Sequence, residues 1–160
     1  MLAIAALGVA SLLASSALAL PKDGLTAKDV ADWLKHQHLD AQIDEGDTGG
    51  DTGAGGAGPV IRSSAGGAPF AIYLYDCRKD RCTSLQYVAS FPNTEALSLA
   101  KINAWNRQSR YVRAYLDRSG RVLGEYDLDV APGLDDKALD HSLRRWRSAL
   151  ARFKQFVGGL

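Results

Sequence analysis

The chain has two cysteines, one methionine and five prolines among its 160 residues, and no charged residue precedes Lys22. Each scarcity excludes something. Two cysteines cannot close a four-ligand zinc site. Their C-x4-C spacing is not the C-x-x-C of a redox couple, and no helix start adjoins them to lower a thiol pKa. Neither sign of charge is in excess, since 19 Lys and Arg meet 18 Asp and Glu for a net +1. A nucleic-acid binder would carry a basic surplus. Beyond the N-terminal stretch no apolar run is long enough to span a bilayer. Residues 45–58, EGDTGGDTGAGGAG, lack the G-K-[ST] of a phosphate loop. Asp44, Asp47 and Asp51 fit neither EF-hand nor calcium-repeat spacing. That stretch is read as a flexible connector.

The uncharged start is itself a pattern. Residues 1–19 are rich in Leu and Ala and end in Ala17-Leu18-Ala19. This reads as a secretory signal peptide cut after Ala19, with a membrane anchor as the competing reading. The usual basic n-region is missing, which leaves an upstream start or an atypical signal open. Cleavage would leave about 140 residues, enough for one domain with one core. Residues 20–24 are then a short linker and residues 25–157 the domain. The expected location is the periplasm or the exterior, with no membrane span in the mature chain.

What is present begins with the stretch from Phe70 to Phe91. Phe70, Ile72 and Leu74 alternate with Ala71, Tyr73 and Tyr75; Leu85, Tyr87, Ala89 and Phe91 alternate with Gln86, Val88 and Ser90. Period-two alternation predicts two half-buried strands of one hairpin. Cys77 and Cys82 enclose four residues, RKDR, a length that suits the hairpin loop. Residues paired across a ladder come within disulfide reach, so Cys77–Cys82 is expected as a structural bridge. Such a bridge persists in an oxidising compartment, in agreement with export.

The other elements follow in order. Thr26, with Asp29 three residues on and Leu25 and Val30 around them, predicts a capped, stapled helix start. His36 and His38 point about 200° apart on a helix, so they read as a favourable helix end rather than a metal pair. Residues 41–44 and 59–64 predict short strands. A helix over about 98–107, started by Ser98 or Thr94, places Leu99, Ile102 and Trp105 on one face. Residues 111–116 and 121–130 predict strands around the turn Asp117-Arg118-Ser119-Gly120. The second puts Val122, Gly124, Tyr126, Leu128 and Val130 on one face and Glu125, Asp127 and Asp129 on the other. A last helix over about 135–157 carries Leu139, Leu143, Trp146, Leu150, Phe153 and Val157 at heptad spacing, flanked by Arg144, Arg145, Arg147 and Arg152. Under four heptads is short for an independent coil, so this helix is expected across its own sheet.

The fold class is α+β: an antiparallel sheet with helices on one face, in the order α-β-β-β-α-β-β-α. Three stretches, PVIRSSAGG at 59–67, CRKDRCTSLQ at 77–86 and KINAWNR at 101–107, resemble the YbjN-domain proteins, a family labelled bacterial sensory transduction regulators. The resemblance spans about 25–157. It implies a fold like that of type III secretion chaperones, and it brings no catalytic residues, cofactor or metal ligands. The signal peptide and the cysteine pair depart from cytoplasmic members, which sets export against a direct role in cytoplasmic signalling.

The expected function is an exported, non-enzymatic protein-binding or regulatory module, chaperone-like, of a kind used in envelope stress or sensory regulation. Trp105, Arg107, Arg113 and Tyr115 are its candidate partner contacts. The partner is a protein of unknown identity, not nucleic acid. A homodimer through the last helix or an open sheet edge is also entertained. The alternatives are a periplasmic hydrolase with Asp127 or Asp129 as base, and an envelope-surface protein whose basic last helix meets anionic surfaces.

Overall fold

The capping box that opens the first helix forms as the sequence implies. In a computed structural model, which describes residues 20–44, 58–93, 97–130 and 134–158, the Asp29 N–H donates to Thr26 Oγ1 at 3.0 Å. The Thr26 N–H donates to Asp29 Oδ2 at 3.0 Å. Leu25 and Val30 are both buried, so the staple closes too. The signal segment, most of the glycine-rich connector and Thr94 lie outside the described residues.

Helix α1 (Ala27–His36) precedes four strands, β1 (Gln42–Asp44), β2 (Val60–Ala65), β3 (Ala68–Arg78) and β4 (Arg81–Phe91). Helix α2 (Leu99–Gln108), strands β5 (Arg113–Leu116) and β6 (Val122–Asp129), and helix α3 (Asp136–Gly158) complete the chain. The class is α+β, with helices and strands in the expected sequence. The block before α2 holds four strands, because β1 pairs as a strand in its own right. Among the described residues the sheet has six strands in the order β1-β2-β3-β4-β6-β5, every neighbour antiparallel. Only the β4–β6 neighbours are non-consecutive. The chain leaves β4 through α2, lays β5 at the edge, and returns with β6 in between.

The central hairpin is tighter than its cysteine spacing implies. Strands β3 and β4 pair out to Arg78 and Arg81, leaving a two-residue turn at Lys79-Asp80. Lys79 takes a φ of +61°, which such a turn demands. The β2–β3 turn uses Gly66 and Gly67, both at positive φ, between the paired Ala65 and Ala68. This accounts for the two glycines that close PVIRSSAGG.

Helices α1, α2 and α3 pack on the same sheet face. The main core joins Val30 and Leu34 of α1, Ile102 and Trp105 of α2, and the α3 seam to Ile61, Ile72, Leu74, Leu85, Tyr87 and Val122. Every residue of the α3 heptad pattern is buried, and Trp146 lies against Phe70 and Tyr87. Phe153 meets Phe91, Trp105 and Phe156. Gly124 makes this approach feasible: a Cβ there would sit 2.6 Å from the Phe153 ring. The α3 seam is therefore used inside the domain, as expected of a helix across its own sheet. Leu99 departs from its expected face and is exposed.

The opposite face carries a second, smaller cluster of Val60, Ala71, Tyr73, Val88 and Leu123. No described helix contributes to it.

Candidate functional site

The second face becomes polar toward β5, and register explains how. Arg113 pairs with Glu125, Val88 pairs with Glu125 from the other side, and Gln86 pairs with Asp127. Period-two geometry puts all of these on the face away from the helices. Arg113 Nε and Nη2 donate to Glu125 Oε2 at 2.9 and 2.8 Å. The Tyr115 hydroxyl donates to the other oxygen, Oε1. Glu125 is only 3 % exposed, yet all of its charge is met by a two-pronged guanidinium and a phenol. Arg113 also stands 3.7 Å from Asp127, which accepts a 2.7 Å bond from Gln86 Nε2. Tyr75 donates to Gln86 Oε1 at 3.3 Å. A chain of side chains thus runs across four strands, from Tyr115 on β5 to Tyr75 on β3.

The electrostatics follow from that geometry. The Glu125 carboxylate, which hydrogen-bonds Arg113, pushes the guanidinium above its ordinary range. Burial first, and then the same carboxylate, push the Tyr115 phenol up. The one carboxylate thus favours the protonated form of both its neighbours. Its outer members stay accessible: the side chains of Arg113 and Asp127 are 61 % and 54 % exposed. This is an exposed guanidinium and carboxylate held in fixed positions by a buried anchor.

The four expected contact residues separate. Arg113 and Tyr115 converge on Glu125. Arg107 is exposed on the last turn of α2. Trp105, expected at the surface, is instead buried: it is 8 % exposed, its ring packs on Phe153 and Phe156, and its Nε1 donates to the Val112 carbonyl at 3.0 Å. An indole that is both an apolar wall and a satisfied donor is core, not surface. Asp127 and Asp129, the candidate bases, are exposed rather than set in a cleft. Residues the sequence did not single out are Glu125 as buried anchor and Gln86 as the link to β3.

Helix α2 also closes one sheet edge. Asn106 Nδ2 donates to the Ala114 carbonyl at 2.9 Å, and the Ala114 N–H donates to Asn106 Oδ1 at 2.7 Å. One side-chain amide thus meets both outward groups of Ala114, as a neighbouring strand would, and Trp105 takes the carbonyl of Val112. The Trp-Asn pair of KINAWNR is an edge lock, a device that blocks strand addition along β5.

At the far end of the sheet Cys77 and Cys82 are bonded and directly paired, with Cα atoms 3.9 Å apart. Leu25 extends the ladder there, exchanging both backbone bonds with Cys82 at 3.0 and 2.9 Å. The bridge therefore ties the hairpin tip to the segment that enters α1.

With this geometry in view, the sequence model of the YbjN family, described as "Putative bacterial sensory transduction regulator", matches residues 26–158. The chain belongs to that family. The comparison with curated proteins found no match.

Proposed function

From membership of the YbjN family as a premise, we propose that this domain is an exported regulatory module that binds a protein partner on the β5–β6–β4 face, in a chaperone-like manner. The observation that carries the reading is the Arg113–Glu125–Tyr115 cluster. Arg and Tyr dominate the energetics of protein interfaces, chiefly where they are held rigid. Here a buried carboxylate fixes both, and Arg113 still presents most of its surface. A side chain already ordered loses less entropy on binding. The family description supports the regulatory part. The disulfide supports an oxidising location after export. The chaperone-like part rests on fold analogy.

The test is capture from an envelope extract of the native host with wild-type protein and with the double variant Arg113→Gln, Glu125→Gln. The double change removes both charges without stranding a buried carboxylate. Wild type should retain a partner that the variant loses while its thermal unfolding stays cooperative. Equal capture by both proteins, or no partner across several growth conditions, refutes the reading.

A further inference from the structure

Charge is distributed very unevenly beneath the near-zero total. Residues 97–116 and 141–158 contain no Asp or Glu, and together they hold nearly half of the 19 Lys and Arg. The fold brings these two stretches together at Tyr111. Arg145 of α3 lies over the Tyr111 ring with its Cζ 4.8 Å from the centroid, and Arg110 lies over the same ring at 5.6 Å. Beside them a groove of about 310 Å³ is lined by Tyr111, His141, Arg144, Arg145, Ser148 and Arg152. The α3 members recur at three- and four-residue steps, one stripe of the helix surface. No acidic side chain among the described residues lines the groove. Among the described residues none of its arginines has a carboxylate partner, and Arg152 Nη1 donates to Ser148 Oγ at 2.9 Å.

Tyr111 is held there at a conformational cost. Its φ is +75°, in the left-handed region that an aromatic residue rarely occupies. The ring is half exposed, with its edge against Tyr126. A strained aromatic that carries two guanidinium groups on an open surface is the sort of feature that folding alone does not require. Stacking orients a guanidinium plane while leaving its N–H edge available to an anion.

We propose that this groove is a binding site for a phosphate group. Three guanidinium groups, an imidazole and a hydroxyl converge on it. That is more donor capacity than the two oxygens of a carboxylate can accept, and it suits a phosphoryl group with three oxygens and up to two charges. The volume is at the small end of ligand sites, which run from about 300 Å³. The site lies on the helical side of the molecule and stands independently of the partner-binding face.

Pyrophosphate in solution and vesicles containing phosphatidic acid, whose headgroup is a phosphomonoester, with phosphatidylcholine vesicles as control, are the two probes, followed by titration calorimetry and co-sedimentation. Saturable pyrophosphate binding supports a free phosphorylated ligand. Binding confined to the phosphatidic acid vesicles supports a headgroup phosphate at the same site. In either arm Arg145→Gln and Arg152→Gln should each weaken binding about tenfold, the worth of one charge-assisted contact. Arg147→Gln, outside the groove, should leave it unchanged. Tyr111→Gly relieves the backbone and removes the ring, so it should keep the unfolding temperature and lose affinity. Failure to bind in both arms, or equal losses in Arg147→Gln and Arg145→Gln, overturns the proposal.

Discussion

Replacing Asn106 by Ala isolates the edge lock of β5. Two hydrogen bonds are lost, one to each backbone group of Ala114, at 2.9 and 2.7 Å. Asn106 itself is exposed, so water can enter where its amide stood. The proper figure is therefore the net value of a hydrogen bond, about 1 kcal/mol each, rather than the full penalty of a stranded group. Alanine returns about 0.5 kcal/mol through its better helix propensity. The balance is a loss of about 1.5 kcal/mol, or roughly 3–6 °C in Tm for a domain of this size. Urea denaturation at unchanged slope should report the same loss. Asn106→Asp should be at least as damaging at neutral pH, because a carboxylate then faces the Ala114 carbonyl, and acid should restore it as the protonated group regains a donor. With the lock gone, β5 offers unpaired backbone groups, and sedimentation should show self-association that grows with concentration. Unchanged stability together with unchanged mass for Asn106→Ala would refute the edge-lock argument.

Gly124→Ala drives a methyl group to 2.6 Å from the fully buried Phe153 ring, so chemical denaturation should show a loss of roughly 1–3 kcal/mol that Phe153→Leu partly recovers. Tyr115 and Tyr87 both have folded-state pKa values above the unfolded value of about 10, Tyr87 through burial. The folded state then favours the protonated phenols. Their stabilisation is whole below about pH 10 and is lost as pH rises toward the folded values. Ultraviolet titration should therefore find Tyr87 and Tyr115 unionised until the chain unfolds, and Tyr115→Phe should flatten the alkaline loss. Opening Cys77–Cys82 by paired Cys→Ala substitution should cost about 2 kcal/mol, the closure entropy of so short a loop. Intact mass before and after reduction and alkylation checks the bond itself.

Which features could be read from the chain depended on how local they are. The Thr26–Asp29 capping box involves four consecutive residues, and the α3 seam recurs on one long helix, so both were legible. The cysteine pairing was legible because a hairpin brings its own ends together. The strand order was not, since β6 inserts between β4 and β5 through a contact no local pattern encodes. Glu125 shows the intermediate case. Alternation placed it opposite Tyr126, but alternation says nothing about which face is wet. The signal was nonetheless there: Arg113 and Glu125 stand symmetrically about the turn at 117–121, so folding the β5–β6 hairpin alone pairs them. Trp105 shows the reverse. Its place on the apolar face of α2 already argued for core, and its Nε1 bond to Val112 settles that role.

Net charge was the least informative quantity of all, for a physical reason. Screening confines the reach of a surface charge to about 8–10 Å at ordinary ionic strength, shorter than this domain is wide. A ligand at Tyr111 therefore senses first Arg110, Arg144, Arg145 and Arg152, while Glu125, Asp127 and Asp129 face the other side of the sheet. A total of +1 is consistent with a uniformly neutral surface and equally with two opposed ones. Salt distinguishes them. A protein partner held around the internally paired Arg113–Glu125 should tolerate moderate salt, because that pair is already neutralised inside the domain. Phosphate at the groove, met by arginines that have no carboxylate partner among the described residues, should be released by it. If added salt weakens both interactions in parallel, the two surfaces are not electrostatically separate, and the division of the molecule into a network face and a basic groove fails.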